Sequence, residues 1–464
     1  MSTDSYINNL KYEPNNVMVN TSAVPSYQPE DGELDAKGHF RVIKKKECTV
    51  QNSSSDLTYI DSLAARLIPG TMLLCNSKLI ENNPSIVPAQ TKPVKFGIDL
   101  PGFNGAFTVD PLTKSSMDTA VGAKISEWKK ANPNGNIAAK VKYSLHEVKS
   151  RHKLEAELGF KLSAANQTFN VDFKAVESGS SREWILKFDQ IYYNVTLDSF
   201  GKPSDIIADS VGEDAIKQYG VNDKNPIGII NNVSYGRIVY VRVKTTNMTF
   251  DLSANMDLIL NKNGVNIDSK SKNKMEYVKD NTSTDVFVYG GGTSAFSTVP
   301  NIGIDTVNEF IAQGYNFDAS QIAAPIGYSV VFMKNGGQDL AVVNSTSTYI
   351  ETTVEEYDAA NLKIEQKGAF VNRFNITWNE ITYNNGTRKV TPKGWERNGK
   401  DSCAGQTYNI FLKGNTRNLY INSKGFTGIV WDKTRTNFDG AVELRPNMKL
   451  TVSGTTLKQK AQLT

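Results

Sequence analysis

Histidines, cysteines, glycines and lysines are the residues of this 464-residue chain whose types could do chemistry, and their spacing decides what chemistry that is. His39, His146 and His152 form neither a His-Glu-x-x-His nor a His-x-Glu arrangement, the spacings that gather imidazoles and a carboxylate around zinc. Cys48, Cys75 and Cys403 are an odd, widely spaced set with no Cys-x-x-Cys pair. They read as buried free thiols rather than as a disulfide framework or a metal site. No Gly-x-Ser-x-Gly elbow and no Gly-x-x-x-x-Gly-Lys-Ser/Thr loop is present, which removes two common nucleophile and phosphate motifs. Gly290-Gly291-Gly292 follows a strand-like VFVY but lacks the Lys and Ser/Thr of a phosphate cradle. It reads as a bend or backbone hinge. Lys44-Lys45-Lys46 reads as a solvated face, and an excess of 52 Lys and Arg over 48 Asp and Glu is too small and too dispersed to point to nucleic acid. The expectation is a protein that is not an enzyme and needs no metal or cofactor.

The elements that would position any site form a mixed pattern. At roughly 150 residues per domain the length allows about three domains. Met117, Val121, Ile125 and Trp128 share one helical face over 116–130, with Ser115 and Asp118 as a start signal. Thr306 and Glu309 have capping-box spacing, and Gly314 suits a left-handed stop, so 306–313 is a second helix. Residues 205–219, ended by Gly220, are a third. From about 359 onward strand patterns dominate, and a separate all-β module of sandwich size is expected.

Two stretches alternate with period two. Leu154, Ala156, Leu158, Phe160, Leu162 and Ala164 point one way; after a phase shift Phe169, Val171, Phe173 and Ala175 continue, followed by Trp184, Leu186 and Phe188. Phe250, Leu252, Ala254, Met256, Leu258 and Leu260 alternate with Asp251, Ser253, Asn255, Asp257, Ile259 and Asn261. These are hairpin signatures with one oily and one polar face. A transmembrane β-strand needs about 9–11 residues with one face in lipid, and both stretches are long enough. Half-buried strands of a soluble sheet alternate in the same way, and the same segments could pack as helices in a soluble state. The longest uninterrupted oily runs are four residues, such as Ile238 to Val241 and Val286 to Tyr289, far short of the roughly 20 that a membrane helix needs. A water-soluble chain is expected.

Several segments, in order, resemble the cholesterol-dependent cytolysins. They are LIPGTMLLCNSKLIENNPSIVPAQTKPVKFGIDLPGF at 67–103, NVDFKAV at 170–176, WILKFDQIYYNVTLDSFGKPSDI at 184–206, VSYGRIVYVRVKTT at 233–246, STYIETTVEEY at 347–357 and GAFVNRFNITWNEITY at 368–383. The resemblance implies an elongated, multi-domain α+β fold with a central twisted antiparallel sheet. Helical bundles that refold into β-hairpins flank the sheet, and a β-sandwich forms the C-terminal domain. It implies four domains: a mixed core of 1–24 with 59–142, 196–245 and 316–341; a β linker of 25–58 with 342–358; a pore-forming domain of 143–195 with 246–315; and a membrane-binding sandwich, 359–464. Transmembrane hairpins would lie at about 149–195 and 246–290, with Gly290 to Gly292 as the hinge that frees a strand edge.

The family's membrane-contacting undecapeptide has its match in GFTGIVWDKTR, 425–435. Thr427, Gly428, Trp431 and Arg435 fit; Phe426 stands at the usual Cys, and Lys433 and Thr434 replace two tryptophans. Phe426, Ile429, Val430 and Trp431 still give an oily loop with an interface-seeking indole, although an ordinary sandwich loop would also accommodate them. The sterol-recognising Thr-Leu pair matches Thr456-Leu457, and Ala369 and Ala404 fall near two further tip loops. Implied partners are a target membrane lipid, with cholesterol one candidate beside another lipid, a glycan or a protein receptor, and further copies of the chain in a homo-oligomeric ring. A partner subunit or proteolytic activation is a further possibility. Implied localisation is secretion, then the target membrane. The N-terminus lacks a basic stretch followed by an apolar one, which fits a sequence that starts after removal of an export signal. The alternative is a non-lytic membrane, receptor or glycan binder on the same scaffold.

Overall fold

Two long, β-branched and aromatic segments set the architecture. The computed structural model describes residues 2–464 apart from 23, 25, 60–66, 82, 163–168, 249, 256–268, 291–296, 320, 321 and 432. It divides into two compact units, Met1–Val24 with Glu47–Glu351 and Pro25–Lys46 with Thr352–Thr464. In the first, strands β1 (Lys140–Val148), β2 (Arg182–Leu197), β3 (Ile227–Thr245), β4 (Ser283–Gly290) and β5 (Ala324–Phe332) belong to one ten-stranded sheet. β2 and β3 run antiparallel from Arg182↔Thr245 to Thr196↔Asn232, with a bulge at Ile191/Tyr193. β1 pairs with β2 from Val148↔Glu183, and β4 pairs with β3 from Ser283↔Lys244. Nearly every residue of β3 is buried, as expected of a strand covered on both faces.

Different segments cover those two faces. One face carries Ile185, Ile238, Tyr240, Phe287 and Tyr289 and packs against Leu154, Leu158, Phe160, Leu162, Phe169 and Val176. The other carries Trp184, Leu186, Phe188, Val239, Val241 and Val243 and packs against Phe250, Leu252, Val278, Val307 and Ile311. Leu154 to Leu162 and Phe169 to Phe173 of the first alternating stretch, and Phe250 and Leu252 of the second, therefore belong to lids on opposite sides of the same sheet. Trp184, Leu186 and Phe188, expected to continue the first oily row, instead lie in β2 itself and face the second lid, because the chain changes phase between the lid and the strand.

The lids are helical, not extended. Arg151–Leu158 and Phe173–Glu177 are α-helices, Ser253–Asn255 is a 3-10 turn and Ser269–Asn281 is a third helix. The local signals are ordinary ones. Ser150 accepts from the Lys153 amide, Gly159 ends the first helix at φ 75°, and Asp172 accepts from the Ala175 amide. The 3-10 turn alters the expected alternation: Ala254 is exposed, whereas Asn255 is buried with its Nδ2 donating to the Asp251 carbonyl at 2.7 Å. Ala164, Met256, Leu258, Leu260, Gly291 and Gly292 lie outside the described residues.

Helix boundaries differ from expectation in instructive ways. The 116–130 helix is Lys114–Ala131, with Met117, Val121, Ile125 and Trp128 buried, but Thr113 rather than Ser115 caps it by accepting from the Ser116 amide. The third expected helix shrinks to Glu213–Gln218, preceded by a 3-10 turn at Pro203–Asp205. The second spans Ile304–Ala312 with Gly303 as N-cap, and the Thr306 hydroxyl donates to the Gly303 carbonyl at 2.7 Å instead of capping. Gly314 ends nothing in a left-handed conformation. It is needed because a Cβ there would meet Oε1 of the buried Gln190 at 1.9 Å. Cys75 is buried and its thiol pushed far up by desolvation, but Cys48 is half-buried and Cys403 exposed, which corrects the expectation of three buried thiols.

The second unit holds the sandwich. One sheet contains β6 (Ala360–Gln366), β9 (Thr407–Leu412), β12 (Asn447–Gly454) and β13 (Gln459–Leu463); the other contains β7 (Asn372–Asn384), β8 (Thr387–Gly394), β10 (Thr416–Phe426) and β11 (Thr434–Val442). Leu362, Ile364, Phe374, Ile376, Ile421, Leu450 and Val452 fill the space between the sheets.

Gly314→Ala is expected to lower the thermal unfolding midpoint, with a cost of about 1–3 kcal/mol for an overpacked core. Adding Gln190→Ala, which removes the clashing amide, should relieve the added-methyl part of the loss. A Gly314→Ala midpoint equal to the parent's would refute the close approach.

Candidate functional site

Four chain connections meet at one end of the sandwich. The Ala369 amide donates to the Gly454 carbonyl at 2.9 Å, that of Gln366 to Gln406 at 2.9 Å and that of Phe426 to Val371 at 2.8 Å. The connections 367–371, 403–406, 427–433 and 455–458 thus form a common tip, and Ala369, Ala404, Trp431 and Leu457 all reach it. The 427–433 loop folds on itself. Its Thr427 is buried and accepts from the Ile429 amide at 3.1 Å, its Thr427 amide donates to the Lys433 carbonyl at 3.2 Å, and Gly428 takes φ 78°. This closure pushes the apex outward, leaving Val430 79% and Trp431 89% exposed.

The other expected tip residues divide by role. Leu457 is 52% exposed, whereas Thr456 and Ile429 are half-buried. Phe426 is also half-buried, with the Arg373 guanidinium 4.6 Å over its ring, so it supports the loop rather than presenting its own face. Arg435 Nη1 donates to the Leu457 carbonyl at 2.9 Å. Gln459 Nε2 donates to the carbonyls of Phe426 at 3.3 Å and Thr456 at 3.0 Å. The Trp431 loop and the Thr456-Leu457 loop are therefore fastened to each other.

Sequence reasoning missed this fastening layer. Below it Asn372 Nδ2 donates to Ser423 Oγ at 2.7 Å, and Asn437 Nδ2 donates to Asn372 Oδ1 at 2.7 Å. Asn372 and Ser423 are fully buried and occupy inward positions of strands whose next inward residues are Phe374 and Ile421. A polar residue at the inward phase of an oily strand was the available signal, since such a group needs a buried partner. Nearby, Glu365 is held at about 2 by Lys363, Lys367 and Lys449, whose ammonium groups lie 2.9, 2.8 and 3.1 Å from its carboxylate.

The expected hairpin residues lie in the other unit. Phe169, Trp184, Leu186, Phe250 and Leu252 are buried, Val171 and Phe173 are half-buried, and Ala254 is exposed. Arg182, at the junction of the first lid with β2, bonds Glu147 at 2.6 Å and also donates to the Phe250 carbonyl of the second lid. The fully buried Glu183 holds Arg242 through two bonds of 2.8 and 3.1 Å, and Arg242 reaches Asp285 at 3.0 Å. A buried charge is tolerated only when paired in this way. Gly290 takes φ 83°, and a Cβ there would meet the Gly236 carbonyl at 2.5 Å. Among the described residues no cluster of His, Cys, Asp or Glu is arranged to hold a metal ion.

Comparison with known proteins places these features in a family. The model of the thiol-activated cytolysin family matches residues 2–357, and that of the thiol-activated cytolysin β-sandwich domain matches 361–460. Ivanolysin of Listeria ivanovii is 33% identical over 462 residues, covering 98% of this chain and 86% of that protein. The crystal structure of listeriolysin O superposes with a TM-score of 0.86 at 30% identity, covering 100% of this chain and 95% of that one. A non-haemolytic pneumolysin from Streptococcus pneumoniae strain ST306 gives 0.84 at 28% identity, covering 100% and 99%. In sequence along its length and in fold, this chain belongs to the thiol-activated cytolysins, a family of pore-forming toxins.

Proposed function

We propose that this cytolysin is secreted, docks on a target membrane through the sandwich tip, assembles with further copies of itself into a ring, and converts its two lids into hairpins of a common β-barrel. One observation carries the reading. Each lid is the connection between two strands that are already antiparallel neighbours, β1 with β2 and β3 with β4. Extending the existing register outward therefore predicts the hairpin pairing without further assumption.

From Val148↔Glu183, continued pairing sets Ala156 opposite Ala175, Leu158 opposite Phe173, Phe160 opposite Val171 and Leu162 opposite Phe169. The phase shift in the alternation is the turn between the arms. On the opposite face Glu157 meets Lys174. From Lys244↔Ser283, continued pairing sets Phe250 opposite Tyr277 and Leu252 opposite Met275, with Asp257 opposite Lys270 on the polar face. The turn then falls on Asn263-Gly264, a dipeptide suited to a two-residue hairpin. By strand parity, both oily rows continue the face that carries Val148, Ile185, Tyr240 and Phe287. A barrel in lipid requires just that, one oily side and closed backbone pairing.

In this reading residues 143–195 with 246–315 move, while 1–24 with 59–142, 196–245 and 316–341 stay as the core. Residues 25–58 with 342–358 link to the sandwich, 359–464. Gly290 to Gly292 serve as the bend that exposes a strand edge. Phe426 and Arg435 brace the tip, Trp431 and Val430 enter the interface, and Thr456-Leu457, with Ala369 and Ala404 beside it, forms the surface that meets a lipid such as cholesterol. The second reading is non-lytic binding by the tip, favoured by the undecapeptide in which Lys433 and Thr434 stand where the family has tryptophans. A pore requiring a partner subunit or cleavage is a variant of the first.

Dye release from liposomes with and without cholesterol, before and after limited proteolysis, tests the reading together with electron microscopy for rings. Release and rings are expected; their absence under every condition sinks it, and binding without release selects the second reading. The register has its own test. Ala254 and Ser253 are both exposed in the folded chain, so Lys at either leaves folding unchanged. Ala254→Lys should suppress release, because a Lys facing lipid near the midplane costs about 2–4 kcal/mol per subunit, whereas Ser253→Lys should retain it. Equal effects would show that the register is wrong. Trp431→Ala should weaken binding to vesicles of phosphatidylcholine and cholesterol while leaving the thermal midpoint unchanged, and undiminished binding would remove Trp431 from the interface.

A further inference from the structure

The small net charge of the chain conceals a division. Residues 1–360 carry 35 Lys and Arg against 41 Asp and Glu, whereas residues 361–464 carry 17 against 7. The positive excess is thus concentrated in the sandwich rather than dispersed, as its overall size implied. The segments that meet at the tip, 365–373, 400–406, 424–435 and 454–460, hold eight of these cations and three acidic residues, Glu365, Asp401 and Asp432. Glu365 is enclosed by its lysines, and Asp401 is bonded by Arg373 at 2.5 Å. Lys424, Lys433, Lys458 and Lys460 are exposed, and among the described residues none lies within ion-pair distance of a carboxylate.

Lys424 and Lys433 belong to one sheet of the sandwich and its loop, Lys458 and Lys460 to the other, and the exposed Val430, Trp431 and Leu457 lie on the same two connections, 427–433 and 455–458. An oily apex on connections that also carry ammonium groups fits a plane that is apolar within and negative at its surface. Each Lys or Arg held at an anionic bilayer adds attraction, which falls off within a Debye length.

We propose that the sandwich tip engages bilayers carrying anionic headgroups, with Lys424, Lys433, Lys458 and Lys460 at the headgroups while Trp431 enters the interface. The proposal rests on the reading of the tip as the membrane anchor. It gives the lysine at position 433, where the family has an indole, a function: charge attraction takes over part of the anchoring that a lost tryptophan supplied.

The test is co-sedimentation of the full chain with vesicles of phosphatidylcholine and cholesterol, with and without phosphatidylserine, in low salt and in about 0.5 M salt, where the Debye length shrinks to a few ångströms. Phosphatidylserine should tighten binding at least tenfold in low salt, and high salt should erase the gain. Combining Lys433→Gln, Lys458→Gln and Lys460→Gln should weaken binding to the anionic vesicles about five-fold per cation removed and leave binding to the neutral ones unchanged. Lys389→Gln with Lys413→Gln, exposed positions toward the far end of the sandwich, should change neither. Equal binding to both vesicle types overturns this inference alone, as does an equal loss in the far-end variant. Binding to no vesicle of any composition overturns the anchor reading with it.

Discussion

The structure depends on a sheet that has no free face. β2 and β3 would expose an oily surface on either side if left bare, and the chain covers one side with Leu154, Leu158, Phe160, Leu162, Phe169 and Val176 and the other with Phe250, Leu252, Val278, Val307 and Ile311. Hydrophobic burial is indifferent to backbone conformation, rewarding apolar area removed from water at about 25 cal/mol per Å² whether the covering segment is helix or strand. The same side chains can therefore satisfy the sheet as helices in water or satisfy acyl chains as strands in a bilayer. What holds the soluble form in place is that its oily residues already have a solvent-free partner. A family that exists both as a water-borne chain and as a membrane barrel needs such a reversible use of one set of residues.

The two lids are not equivalent in the proposed conversion. The first lies on the sheet face that its own oily row would continue as an extended hairpin, so it need only lift and straighten. The second packs on the opposite face, while strand parity assigns its extended oily row to the face of the first. It must turn over as well as straighten. The exposed Ala254 and buried Asn255 record that difference in the resting state, since a 3-10 turn with period three cannot keep a period-two stripe on one side.

Much of the fold was legible in the sequence because periodicity survives packing. The all-β character of the C-terminal module and the buried face of the Lys114–Ala131 helix followed directly from spacing. The lids were less legible: Leu154 to Leu162 alternates as a strand would, yet Ser150 and Gly159 supply helix ends that tertiary burial then favours. In the proposed conversion the alternation suits the extended state of the segment rather than the helical one. At the tip, the oily apex could be read from GFTGIVWDKTR, but the hydrogen bonds of Gln459 and Asn372 could not, because they join strands distant in sequence. Gly314 was legible as important but not for its reason, which is the amide of a residue more than a hundred positions away.

Arg182 gives the two lids a shared fate. Its guanidinium sits where the first lid joins β2, yet it is bonded to the backbone of Phe250 in the second. In the proposed conversion, withdrawal of the second lid strips that arginine of an acceptor at the root of the first. The bond links the root of the first lid to the second. In that conversion, a subunit built this way would contribute its strands in complete sets of four, so the count of strands in a closed barrel would advance by whole subunits.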